Sequence, residues 1–206
     1  MKVSRQQMAA NRERLLDIAS RLFRERGFEG VSVADVMQAA GLTHGGFYGH
    51  FASKEALAAE AAAHALMQTS SRWRSTLENS GMGGLERIVD AYLSPRHRDD
   101  PGIGCAIAAL GPDVARQAGP VGAAFAAEVE NLITVLSGFL PGDDLAQRRG
   151  RALALMAQMV GAIVLARSLG HSLLSAEILD VVRAAIARPG ATPPERSTTG
   201  SPHENQ

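Results

Sequence analysis

The residues able to do chemistry fall in two short stretches. Cys105, the single cysteine, follows Pro101-Gly102-Ile103-Gly104 and lies close behind Arg96, His97 and Arg98. A thiol at a helix start near basic groups is held towards the thiolate, which suits a redox- or electrophile-responsive switch. The same residue would serve equally as a small buried hydrophobe, as most free cysteines do. In the second stretch, Tyr48, His50 and Lys54 offer hydroxyl, imidazole and ammonium donors, interleaved with Gly45, Gly46 and Gly49. Donors of this kind reach phosphate oxygens, and the glycines let a backbone approach a groove closely. The spacing also allows Tyr48 and His50 to pack between helices. Catalytic patterns are missing. His97-Arg98-Asp99 has Gly104 where a kinase loop needs asparagine, and Gly102-Ile103-Gly104 lacks the preceding strand and third glycine of a dinucleotide site. Six histidines show no metal-ligand spacing. No enzymatic activity, cofactor or metal is expected.

Composition indicates what must position these groups. Of 206 residues, 46% are hydrophobic, much of this alanine, while 4% are aromatic. That balance favours packed helices over strands. One cysteine excludes a disulfide scaffold. Net charge is zero, but residues 1–26 hold Lys2, Arg5, Arg12, Arg14, Arg21, Arg24 and Arg26 against Glu13, Asp17 and Glu25, a net of +4. A basic end on a mildly acidic body fits contact with nucleic acid, and residues 1–14 could form an extra arm. The longest apolar stretch, 152–166, is interrupted by Gln158 and falls short of the roughly 18–20 residues that span a bilayer. With no secretory segment in evidence, a cytoplasmic location without membrane contact is expected.

Apolar Leu15, Ile18, Ala19, Leu22 and Phe23 predict a helix from near Ser4 to Gly27. Ser32-Val33-Ala34-Asp35 is a capping pattern for a second helix that stops at Gly41. Thr43 can cap a short third helix over 44–50, and Ser53 a long fourth one reaching towards Asn79. Two short helices across a tight glycine turn, supported by the first, form a helix-turn-helix. Val33, Val36, Ala40, Leu42 and Phe47 would pack them together, leaving His44, Gly45 and Tyr48 outward.

The stretch from Leu15 to Leu57 resembles the DNA-binding region of the TetR family of bacterial transcriptional repressors. The resemblance rests on Ile18-Ala19, Leu22-Phe23, Gly27-Phe28, Val31-Ser32-Val33 and Ala39-Ala40-Gly41-Leu42-Thr43. It is densest in Gly45-Gly46-Phe47-Tyr48-Gly49-His50-Phe51 and Ser53-Lys54-Glu55-Ala56-Leu57. Ser32 stands where threonine is common, and Gly49 where a larger side chain is frequent. The resemblance implies that Thr43, His44, Gly45 and Gly46 open a recognition helix. It also implies that Tyr48 and His50 touch the DNA backbone, and that Ser32 and Lys54 anchor phosphates. It further implies a repressor of a palindromic operator in double-stranded DNA, released by a small-molecule or electrophile inducer. A helical ligand-binding or protein-interaction module without sequence-specific DNA binding is the alternative.

The expected architecture is therefore all-α: a helix-turn-helix domain over 1–52, a helical ligand-binding and dimerisation domain over 53–188, and a disordered tail over 189–206. Helices are predicted near 85–94, 105–116 (bent or split by Pro112), 121–139, 144–169 and 175–188, with a polar loop over 96–104. The nearly all-apolar run 152–166, with Leu174, Ile178, Val181, Val182, Ala185 and Ile186, belongs either to an intramolecular core or to an interface, and the resemblance implies a homodimer through the last two long helices. Met67, Trp73, Met82, Ile107, Leu110, Phe125, Met156 and Met159 are candidate lining for a ligand pocket, since methionine adapts to varied apolar shapes. At helical spacing the same residues also serve as ordinary core.

Overall fold

The computed structural model describes residues 4–117 and 119–187, except for the Met82 side chain. The expected tail over 189–206, and Lys2, lie outside the described residues. Every regular element among those described is helical. In chain order they are α1 (Arg5–Arg26), α2 (Val33–Ala39), a 3-10 helix (His44–Gly49) and α3 (Lys54–Ser80). There follow α4 (Gly84–Tyr92), α5 (Pro95–Asp99), α6 (Ala106–Arg116), α7 (Pro120–Ser137), α8 (Leu145–Ser168) and α9 (Leu173–Ala187).

Local signals set most boundaries. Ser4 accepts the Gln7 N–H to start α1, and Gly27, at φ 72°, ends it. The cap makes α1 helical from Arg5, so the segment expected as an arm supplies the first turns of a helix. At α2, Ser32 Oγ accepts the Asp35 N–H while the Asp35 carboxylate accepts from both the Ser32 N–H and its hydroxyl, a complete capping box. The expected third α-helix is instead a 3-10 helix, and Thr43 makes no side-chain cap bond. Three glycines in six residues remove the propensity that would hold a longer α-helix there. The expected loop over 96–104 also folds: Ser94 accepts the His97 N–H, Pro95 takes the first turn of α5, and a 3-10 turn covers Pro101–Ile103. Pro112 lies inside α6 without splitting it.

The 27 residues of α3 form a rod about 40 Å long. It joins two apolar clusters. Leu57, Ala58, Ala61, Ala62 and Leu66 belong to the first, with Leu15, Phe23, Phe28, Val36 and Phe47 from the N-terminal helices. Trp73 and Leu77 belong to the second, with Ile88, Tyr92, Leu132, Leu136, Met156, Met159 and Ile163. The alanine-rich middle of α3 lets α1 and α7 pack closely along it. Each buried phenylalanine of the first cluster contributes roughly 1.5–3 kcal/mol.

Helix α8 is long and apolar enough to cross a membrane by length and composition alone. One of its faces, with Ala152, Leu155, Met159, Ile163 and Ala166, is buried in the second cluster, as expected of a core helix. Its other face exposes Leu153, Val164, Leu165 and Leu169, beside Leu173, Leu174 and Val181 of α9.

Candidate nucleic-acid interface and internal cavity

Phe47 anchors the 3-10 helix. Its ring is buried and packs near Phe51 at 5.8 Å, and it meets the Tyr48 ring edge-on at 5.3 Å. Everything around it turns outward. Tyr48 is 70% exposed, so it does not pack between helices. Thr43, His44, Gly45, Gly46 and Gly49 are exposed, while His50 and Lys54 are half-buried. A Cβ added at Gly45 or Gly49 would meet nothing within 4 Å, so packing within the chain does not require glycine at either position. Lys54 is the first residue of α3, behind a Ser53 cap that accepts the Ala56 N–H at 3.1 Å. Ser32 is exposed, but its hydroxyl is engaged in the capping box, bonded to the Asp35 carboxylate at 2.6 Å.

The basic end is less free than its charge suggests. Arg12 pairs with Glu60 and lies 4.8 Å over the Phe51 ring, and Arg21 pairs with Glu25. Arg24 donates to the Gly102 carbonyl. Arg5, Arg14 and Arg26 are exposed and have no ion pair among the described residues.

A second feature lies at the far end of α3. Between α3, α4, α5 and the segment leading to α6 is a cavity of about 330 Å³, bounded by Trp73, Ile88, Tyr92, Ile103 and Cys105, and by Thr69, Thr76 and several arginines. Of the residues expected to line a pocket, Trp73 alone does so. Leu110 and Phe125 fill the first apolar cluster and Met156 and Met159 the second, while Ile107 packs against both. Met67 is exposed on α3. The Met82 side chain lies outside the described residues. Size and apolarity pick out core residues; the polar signal is the spacing of Thr69, Arg72, Trp73 and Thr76 on one face of α3.

Cys105 is buried at the N-cap of α6 and lines the cavity, beside the Tyr92 hydroxyl. His97 fastens this segment: Nδ1 donates to the Tyr92 carbonyl at 2.6 Å, and Nε2 accepts the Cys105 N–H at 2.9 Å. Such a ring is neutral, and burial pushes its pKa down to about 4, with the Arg167 and Arg72 charges adding to the effect. Gly104 packs directly on it; a Cβ there would stand 2.7 Å from the imidazole and from Arg167. A Cβ on Gly102 would likewise run into the Glu25 carboxylate. The Gly-Ile-Gly step thus packs this segment closely against α1 at Gly102 and against α5 and α8 at Gly104.

Residues 15–61 match the family described as bacterial regulatory proteins, tetR family. The N-terminal part of the chain is thus similar to the TetR family. The chain is 32% identical over 88 residues to the HTH-type transcriptional repressor KstR2 of Mycobacterium tuberculosis, covering 43% of this chain and 44% of that protein. It is 31% identical over 96 residues to the repressor DhaR of a Mycobacterium species, covering 47% and 48%. The chain thus spans less than half the length of these curated relatives. A longer match, to an uncharacterised HTH-type regulator of M. tuberculosis, is 29% identical over 171 residues, or 78% of this chain and 86% of that one. Among solved structures, Escherichia coli NemR in its reduced form superposes with a TM-score of 0.71 at 22% identity, covering 86% and 95%. A TetR-family regulator of Agrobacterium tumefaciens gives 0.71 at 19%, covering 87% and 97%. These structural likenesses show that the TetR fold extends through the C-terminal helices.

Two polar ties that the sequence did not signal connect the N-terminal head to the helical body. Arg24 of α1 donates through Nε to the Gly102 carbonyl at 2.9 Å, and burial lowers its pKa to about 10, with Arg72 adding to the shift. The Phe28 N–H, just past the end of α1, donates to Asp113 of α6 at 3.2 Å. A third tie joins α1 to α3, where Asp17 accepts from buried His64 at 2.7 Å and from Gln68 at 2.9 Å. The segment that supplies Ile103, Gly104 and Cys105 to the cavity wall therefore touches, through the adjacent Gly102, the helix that supports the outward-facing 3-10 helix.

Proposed function

We propose that this chain is a transcriptional repressor that binds operator DNA as a homodimer and is released by a ligand in the helical body. The observation that carries the reading is the stretch 43–50: an anchored 3-10 helix whose Thr43, His44, Gly45, Gly46 and Tyr48 are exposed. His50 and Lys54 flank it as phosphate donors. Ser32 contributes by fixing α2 more than by reaching phosphate, because its hydroxyl is bonded to Asp35.

The dimer would form through α8 and α9. Leu153, Val164, Leu165, Leu173, Leu174 and Val181 give those helices an exposed apolar face, which a second copy would cover. Two heads held about 34–36 Å apart enter successive major grooves, so the operator is palindromic. The domains divide near residue 52 in function, α3 carrying movement of the body to the head. The site of action is the cytoplasm, where the DNA is. Occupation of the cavity shifts the segment around Gly102, and Arg24 passes the shift to α1. For release to follow, the ligand must bind the DNA-free form more tightly than the bound form.

A second trigger is supported by Cys105, which lines the same cavity. A thiol-directed electrophile small enough to enter would modify it and occupy the space between Trp73 and Tyr92. Loss of DNA binding on treatment with a maleimide, retained binding by a treated Cys105→Ser variant, and mass spectrometry of the adduct test this arm.

The main reading is tested by selecting duplexes from a random pool with the purified chain. The expected product is a palindromic sequence bound by two protomers. A folded dimer that enriches no sequence would overturn it in favour of a ligand-binding module without DNA specificity.

A further inference from the structure

The cavity near Cys105 carries a charge pattern that narrows its occupant. Three guanidinium groups line it, Arg72 from α3, Arg87 from α4 and Arg96 from α5, and among the described residues no aspartate or glutamate does. Two nearby carboxylates are engaged elsewhere, Asp90 with Arg183 at 3.6 Å and Asp99 with Arg98 at 2.6 Å, while Glu86 and Asp100 have no ion pair among the described residues and do not line the cavity. Arg72 makes one long hydrogen bond, to Thr69 at 3.4 Å, and none of the three arginines has an ion pair among the described residues. All three belong to exposed residues around the opening, where one anion can approach them together.

Trp73, Ile88, Tyr92 and Ile103 form an apolar part of the wall, and Thr69, Thr76, Ser94 and His97 add uncharged polar groups. Within it the Tyr92 hydroxyl is buried beside the Cys105 thiol and makes no hydrogen bond of good geometry among the described residues. At about 330 Å³ the space lies at the small end of ligand cavities.

We propose that this cavity binds a small organic carboxylate with an apolar body, the carboxylate held among Arg72, Arg87 and Arg96 and the body against Trp73 and Ile88. The planar guanidinium fork matches a carboxylate through paired, charge-assisted hydrogen bonds. The assignment rests on the reading of this cavity as the effector site and adds the chemical class of the effector.

Trp73 is the single tryptophan of the chain, so its fluorescence reports directly on the cavity. The probes are 4-phenylbutanoate and octanoate, each beside its neutral amide, with inorganic phosphate as the anion lacking an apolar body. At least one carboxylate is expected to shift Trp73 emission saturably, with its amide about tenfold weaker or more and phosphate silent. Arg72→Gln and Arg96→Gln should each weaken the carboxylate several-fold and leave the amide unchanged. Their circular dichroism serves as the check on folding. Amides binding as tightly as carboxylates, phosphate alone saturating the signal, or no response to either carboxylate would overturn the proposal. A labelled duplex in a parallel titration separates the two readings. Carboxylate binding at Trp73 without DNA release keeps the ligand class and removes the effector role. Release by the amide alone removes the ligand class and keeps the effector role.

Discussion

Replacing Gly45 or Gly49 by alanine adds one methyl group to the outward face of the 3-10 helix. In the free protein that methyl meets nothing within 4 Å at either position, and neither glycine has a positive φ. Alanine also restricts the unfolded chain, so both variants should unfold at or above the wild-type temperature, with a gain of up to about 1 kcal/mol. Gly41 supplies the contrast. Its surroundings are equally open, but its φ of +65° is left-handed backbone, where a Cβ costs about 1–2 kcal/mol. On DNA the order reverses. If the backbone of His44–Gly49 lies against the duplex, each added methyl overpacks the interface by roughly 1–3 kcal/mol. That is about five- to 150-fold in Kd. Thermal unfolding by circular dichroism and fluorescence anisotropy of a labelled operator measure the two quantities on the same samples. Wild-type DNA affinity in folded Gly45→Ala and Gly49→Ala would refute the placement of this face against DNA.

Three further outcomes follow from the geometry. His97 is held neutral by burial at about 4, below its ordinary 6.5. Between those values the unfolded chain binds the extra proton, so stability should be full above pH 6.5 and fall as pH drops towards 4, a loss that His97→Gln should reduce in pH-dependent melts. Ser32→Ala removes the α2 cap and should cost about 1 kcal/mol of thermal stability. The Asp35 carboxyl is held below its ordinary range chiefly by its bond from Ser32, so the box is intact at neutral pH and is lost as pH falls through the lowered Asp35 value. A Leu165→Glu, Val181→Glu double variant places charge on the exposed face of α8 and α9. Sedimentation should find a folded monomer with far weaker operator binding; an unchanged dimer would remove these helices from the interface.

Much of the head was legible in the sequence because short-range chemistry sets its boundaries. Ser4, Gly27, Ser32 with Asp35, and Ser53 each act within a few residues, and each appears as expected. The 3-10 geometry of 44–49 was not legible, because Thr43 looks like a cap and its side chain makes no such bond. At 96–104, proline and glycine suggest a loop, yet Ser94 and the buried His97 ring organise the segment through bonds to Tyr92 and Cys105 that sequence distance conceals. The cavity was least legible. Leu110, Phe125, Met156 and Met159, chosen for apolar bulk, went to the two cores, since bulk is what cores require. The actual lining is polar and cationic at one side, and it is assembled from three helices whose packing no local pattern specifies.

The most direct test of DNA recognition is equilibrium binding of the intact chain to its own upstream DNA over a salt series, beside Tyr48→Ala and Lys54→Gln. A saturable complex is expected whose affinity falls steeply with salt. Both variants should bind more weakly, and the slope for Lys54→Gln should be shallower by about 0.9, the value of one neutralised phosphate. Folded variants that match the wild type in affinity and slope would contradict the account.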